Sequence, residues 1–173
     1  MKDLNFVDYM RELATRSTLV KHSENEKRFY RVSGIRSLEE VLTNLLHAQV
    51  PAIGADDSYE GKILDNRASS IVDKQYMAFY VFGRTKLHDH DQIQGEKRLI
   101  KEIAFSFINK IITDHLSDYN LTTNYGLRHL DTNSFSYRTI APLPDGLIAM
   151  VVSFVTDNSV NIAPNPLHWD NNE

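Results

Sequence analysis

The chain has 173 residues, a net charge of -4 and no cysteine, so one core of ordinary size accounts for its length, while a disulfide framework, a thiolate metal site and a cysteine nucleophile are all excluded. A pI near 6.0 leaves no global basic footprint of the kind that holds nucleic acid by neutralising many phosphates. The longest apolar run, Leu147 to Val152, is far short of the roughly 20 residues a membrane-spanning helix needs, and the charged residues Asp3, Asp8, Arg11 and Glu12 interrupt any signal-peptide core at the start.

In chain order, Asp3 is placed to cap a first helix whose apolar positions Leu4, Val7, Met10, Leu13 and Ala14 recur at helical spacing through about Leu19. The stripe is narrow and a polar stretch, Lys21 to Arg28, follows it, which predicts an N-terminal helical arm and a solvated loop. Ser37 and Glu40 form a capping box for a second helix with a wide leucine face, ended by Pro51. Ala52 to Ala55 and Gly61 to Leu64 are short extended pieces around an acidic turn, predicting a bent or bulged strand. Ile71 to Arg84 alternates Tyr76, Ala78, Tyr80 and Phe82 against Met77, Phe79 and Val81, and both faces are apolar near its centre; that pattern predicts a middle strand covered on two sides.

The longest helix is predicted over about Gln92 to Leu116. Leu99, Ile100, Ile103, Ala104, Phe107, Ile108, Ile111, Ile112 and His115 cover more than half its circumference, too wide for a single sheet contact. Phe105 stands among Arg98, Lys101, Glu102 and Asn109 on the opposite side. The expectation is burial on two sides: against the sheet through Leu99, Ile103, Phe107 and Ile111, and against a second body near Phe105 and Ile112. Further strands are predicted at 126–130, 134–140 and 147–156, the first two joined at Asp131 to Asn133 and the last two by a Pro-Gly turn. These elements give an α+β fold: a mainly antiparallel sheet of about four to five strands, with a long helix on one face and the N-terminal helical arm. The divisions are 1–36 for the helix and polar loop, 37–157 for the core, and 158–173 for an extended tail, in which Ile162, Leu167 and the sole tryptophan, Trp169, are candidate anchors on a neighbouring subunit.

His88, Asp89, His90 and Asp91 are the most conspicuous chemical group, since alternating imidazoles and carboxylates suit a divalent ion. In an extended loop the two imidazoles and the two carboxylates point to opposite sides, and a polar loop capping the long helix accounts for the same residues without metal. Asp56, Asp57 and Glu60 carry calcium-type or acid–base chemistry on paper, but lack EF-hand spacing and a neighbouring nucleophile. His115 lies on the apolar side of its helix, as a satisfied interior histidine does. No G-x-S-x-G, phosphate loop or dinucleotide fingerprint occurs. The reading is of no enzyme, no cofactor, no metal site and no catalytic residue.

Taken in order, SLEEVLTNLLHA, VPAIGADDSYEGKILDN, QYMAFYVFGR, the long helix and FSYRTIAPLPDGLIAMVVSFV resemble the small α+β ring proteins of bacteriophage tails and necks, the tail-terminator or tail-completion class. The resemblance covers residues 37–156 and rests on element order; the N-terminal helix falls outside it. It implies a homo-oligomeric ring in the virion, often a hexamer, assembled in the bacterial host cytoplasm beside other tail or neck proteins, capping or joining a tube through which DNA passes without sequence-specific binding. Two alternatives stand beside it: a small metal-dependent hydrolase or metal-binding protein using His88 and His90, and an intracellular adaptor taking a peptide at a sheet edge.

Overall fold

Alternation of large apolar side chains across a pleated strand sets the centre of the molecule. In the computed structural model, which describes residues 4–33, 49–58, 60–65, 71–86, 88–120, 126–140 and 146–160, that centre is β4 (Ile71–Arg84) paired antiparallel along its whole length with β6 (Leu147–Val160). The other edge of β4 is shared: its second half pairs with β2 (Ala52–Asp56) and its first half with β3 (Glu60–Asp65), both antiparallel. Between them the register steps from Ala52↔Phe82 to Glu60↔Tyr76, so β2 and β3 are one strand broken by a bulge, as the acidic turn predicted. β1 (Phe29–Val32) adds a parallel edge to β2, and β5 (Leu130–Ile140) lies outside β6. The described sheet has six strands in the order β1-β2-β4-β6-β5, with β3 beside β4.

Both described helices lie on one face. Helix α1 (Phe6–Arg16) is capped by Asn5, whose side-chain oxygen accepts the Asp8 N–H at 3.2 Å; the expected cap, Asp3, lies outside the described residues. Helix α2 (His90–Tyr119) begins at Asp89, whose carboxylate accepts the Gln92 N–H at 3.0 Å. The predicted α+β fold is therefore the observed one, with three corrections of detail. First, α1 is no arm, because Phe6 and Tyr9 widen the narrow predicted stripe and Met10 and Ala14 are fully buried in the main core. Second, Leu99 is on the solvent side of α2, and the sheet contact runs through Ile100, Ile103, Ala104, Phe107 and Ile111. Third, Asp131 to Asn133 does not reverse the chain. The Asp131 carboxylate accepts the Asn133 N–H at 3.0 Å, and the Ser134 hydroxyl donates to the Asp131 carbonyl at 2.6 Å while accepting the Val155 N–H at 2.8 Å, so these polar residues build an irregularity within β5. The leucine-rich second helix expected after Ser37 falls on residues outside the described set.

On the helix-covered face Ile53, Phe79, Val81, Met150, Val152 and Phe154 meet α1 and α2. On the opposite face Tyr30, Val32, Ala52, Phe82, Leu147 and Ala149 form a second, smaller cluster. Both faces of β4 are thus buried near its C-terminal half, as its sequence predicted. Close approach of α2 to β4 requires Gly83, where a Cβ would lie 2.2 Å from Glu96 Oε1 and 2.8 Å from Ile100 Cγ2. The turn before β6 requires Gly146, which has φ +72° and hydrogen bonds to Thr85 N through its carbonyl at 2.8 Å.

Candidate functional site

The residues proposed for metal chemistry do not converge. Asp89 is the α2 cap, Asp91 sits in the first helical turn where its charge complements the helix dipole, and His88 and His90 are exposed. Among the described residues no group of three or more His, Asp or Glu side chains is arranged to hold a metal. His115 is half-buried with Nδ1 2.8 Å from the Leu127 carbonyl oxygen. That nitrogen therefore carries the proton, which is the satisfied interior role its position predicted. The Leu127 N–H donates to Asp118 Oδ2 at 2.8 Å, so both backbone groups of Leu127 are tied to the last turns of α2.

Phe105 is 38% exposed, but it is not isolated. Its ring meets Tyr137 of β5 edge to face at a centroid distance of 5.3 Å, and the Lys101 ammonium lies 5.4 Å from the Phe105 centroid and 5.5 Å from that of Tyr137. The result is a surface patch of two aromatic rings under one cation, along the β5 edge. Ile112, expected beside Phe105 as a partner contact, instead packs partly buried against the main core. The tail residues Ile162, Leu167 and Trp169 lie outside the described set.

On the other side of the β4–β6 pair, the sheet runs on past its core. Among the described side chains, none of β3 and none of β4 before Met77 belongs to either apolar cluster, although six residue pairs join β3 to β4. Where this extension meets the start of α1 there is a cleft of about 520 Å³. Leu4, Phe6, Val7, Ile63 and Met77 supply its apolar walls, and Ile63 is 68% exposed. Arg31 and Asp73 lie on the helix-covered face beside the cleft, whereas the pleat turns Asp56, in register with Val32, and Glu60, in register with Tyr76, to the opposite face. Asp57 pairs with Arg31 at 3.7 Å, Asp56 accepts both the N–H and the hydroxyl of Ser58 at 2.9 and 2.6 Å, and Asp73 accepts from Gln75 Nε2 at 2.8 Å. Among the described residues lining the cleft there is no histidine.

The groups moved from their ordinary proton affinity stand away from this cleft or serve the fold. Burial pushes the Tyr30 and Tyr80 hydroxyls up, and for Tyr80 the nearby Asp56 charge adds to burial while Arg138 opposes it. Burial also raises Glu96, against the Arg84 N–H that donates to its carboxylate at 3.3 Å. The aromatic patch and the cleft were invisible in the sequence as sites. Phe105 was legible from its place on a polar helix face, but Tyr137 is joined to it only by the packing of β5, and the cleft draws on α1, β1, β2, β3 and β4 together. The chain matches no protein-family model, and no curated protein or solved structure shows significant similarity to it.

Proposed function

We propose that this protein is a structural, non-catalytic subunit that assembles with copies of itself into a ring at the tail end or neck of a bacteriophage or prophage particle, capping or joining the tail tube beside other virion proteins. The observation that carries the assembly reading is the sheet extension formed by β3, the first half of β4 and the end of β6. It is fully laddered, yet among the described side chains none of β3 and none of β4 before Met77 belongs to either apolar cluster. Strands with little apolar packing behind them are marginal in water, so an extension with no cluster residue among its described β3 and early β4 side chains fits a surface that a neighbouring subunit covers. Exposed Ile63 and Tyr76 on it, at 68% and 45%, fit the same role.

The tail-end assignment rests on the order of elements, and the described part of that order, bulged strand, long aromatic strand, long helix and closing hairpin strands, is present. A net charge of -4 suits a lumen through which DNA slides, since such a surface should not hold phosphates. Sedimentation velocity and electron microscopy of the purified protein test the reading. Closed rings of defined mass are expected; a single species of one-chain mass at high concentration refutes it.

A further inference from the structure

β1 and β2 are neighbouring parallel strands. No hairpin can join such a pair: the chain must cross back over one face of the sheet, in a connection of about a dozen residues or more. That connection is residues 33–51, of which 34–48 lie outside the described set. On the helix-covered side the place above β1 and β2 is already filled by α1, whose Arg11 guanidinium lies 5.4 Å from the Phe29 ring and whose apolar residues share a core with Phe29, Ile53 and Ala55. On the other side Val32, Ala52 and Phe82 have 0% exposure and Ala149 has 2%. Atoms therefore lie over them, and neither described helix supplies these. The chain also leaves and re-enters the described structure on that side, since Val32 belongs to the second cluster and Val50 packs against it.

Chirality selects the same face independently. β4 and β5 are both antiparallel to β6, hence parallel to each other, and α2 joins them across the helix-covered face. β1 and β2 run opposite to β4, yet the step from β1 to β2 crosses the sheet in the same direction as the step from β4 to β5. Parallel crossovers are right-handed in about 98% of cases. Two right-handed crossovers that step the same way between oppositely directed strand pairs lie on opposite faces.

We infer, independently of the assembly reading above, that residues 37–48 cross the second face of the sheet as an amphipathic helix and are the cover of Val32, Ala52, Phe82 and Ala149, so that the sheet carries helices on both faces. At 100° per residue Leu38, Val41, Leu42, Leu45 and Leu46 fall within an arc of about 140°, with Glu39, Glu40, Thr43, Asn44 and His47 outside it. A helix over 37–48 rises about 18 Å, and a strand of the length of β2 spans about 17 Å, so one such helix returns the chain to the start of β2.

Because the chain has no cysteine, single-cysteine variants report each position alone. Leu42→Cys and Leu45→Cys put a thiol on the inward side, Glu40→Cys and Thr43→Cys on the outward side, and Ala149→Cys in the sheet face itself. Each variant is first shown to melt cooperatively. Reaction with a thiol reagent under native conditions is expected to be about 100-fold slower at 42, 45 and 149 than at 40 and 43, at every protein concentration. Adding Leu42→Ser and Leu45→Ser to the Ala149→Cys chain should make the thiol at 149 react fast, while Val152→Cys on the helix side, at 0% exposure, stays protected in the same background. Should the serine changes unfold the chain, Val152→Cys reacts as well, and the single-cysteine pattern then decides. Equal, fast labelling at 40, 42, 43 and 45 overturns the inference. So does labelling at 149 that stays slow in a folded serine variant, or protection at 149 that fades on dilution, which would make a second copy the cover.

Discussion

Tyr9 of α1 donates its hydroxyl to Asp114 of α2 at 2.9 Å, across 105 residues of sequence and inside the core. Asp114 is 4% exposed, and its second oxygen is engaged by Lys110 one turn earlier. Both oxygens of this buried carboxylate are thus engaged, one by a phenol and one by an ammonium, and the Tyr9 bond fixes the two helices against each other on the sheet. Tyr9→Phe keeps the ring and removes the donor. Because hydrogen bonds to a charged group contribute about 1.5–3 kcal/mol, urea unfolding of this variant should show a loss in that range with an unchanged m value.

Gly83→Ala should be costly although it adds one methyl group. Its Cβ would meet Glu96 Oε1 at 2.2 Å and Ile100 Cγ2 at 2.8 Å, and overpacking of this kind costs about 1–3 kcal/mol. Removing one obstacle should recover part of the loss. The double variant Gly83→Ala, Glu96→Ala is therefore expected to be less destabilised than the sum of its single changes, a coupling that a double-mutant cycle in thermal or urea unfolding reads directly.

Glu96 also sets a pH dependence. Burial raises its folded-state proton affinity above the ordinary value of 4.5, with the Arg84 N–H acting against it. A carboxyl raised in the fold binds more protons in the native than in the unfolded state across the window above 4.5, so its contribution to stability falls as pH rises through that window and is least favourable at neutral pH. Glu96→Gln removes this term. Its unfolding free energy at pH 7 should equal or exceed that of wild type, and the difference should vanish on acidification toward pH 4. A variant clearly less stable than wild type at pH 7 would contradict the assignment.

The loop before α2 should behave as a cap and not as a metal centre. Asp89→Ala removes the acceptor of the Gln92 N–H and should cost about 1 kcal/mol. His88→Ala and His90→Ala should leave the melting temperature unchanged, and so should a strong chelator added to the wild type. A large fall on chelation would restore the metal-dependent alternative, because a structural metal contributes folding free energy outright.

Local pattern carried the strands and the long helix. β4 spans the predicted residues because its alternation of aromatic and aliphatic side chains reports a pleat directly, and the β2–β3 bulge was announced by Asp56 and Asp57 between two extended pieces. α1 was misplaced as an arm because Phe6 and Tyr9 were left out of its apolar stripe, yet both are buried, one against Phe154 at 5.7 Å and one on Asp114. Leu99 misled for the converse reason: a leucine in a helix adds to the apparent apolar width even when the sheet uses only the stripe through Ile100, Ile103 and Phe107. The cleft could not be read at all, since Val7, Arg31, Glu60 and Met77 come together only once the sheet is laddered.

The pairing of β4 with β6 joins residue 71 to residue 160 and residue 84 to residue 147, and this has a consequence for how the chain acquires its shape. During synthesis β4 and all of α2 are complete before β6, the strand that joins β4 to β5, exists. Until β6 arrives, fourteen residues of β4 hold an open edge, and β5 has no described neighbour to pair with. The sheet is therefore completed last between β4 and β5, in a step dominated by contacts distant in sequence, which makes folding slow for a domain of this size and leaves the nascent β4 edge as the point at which two unfinished chains would most readily join.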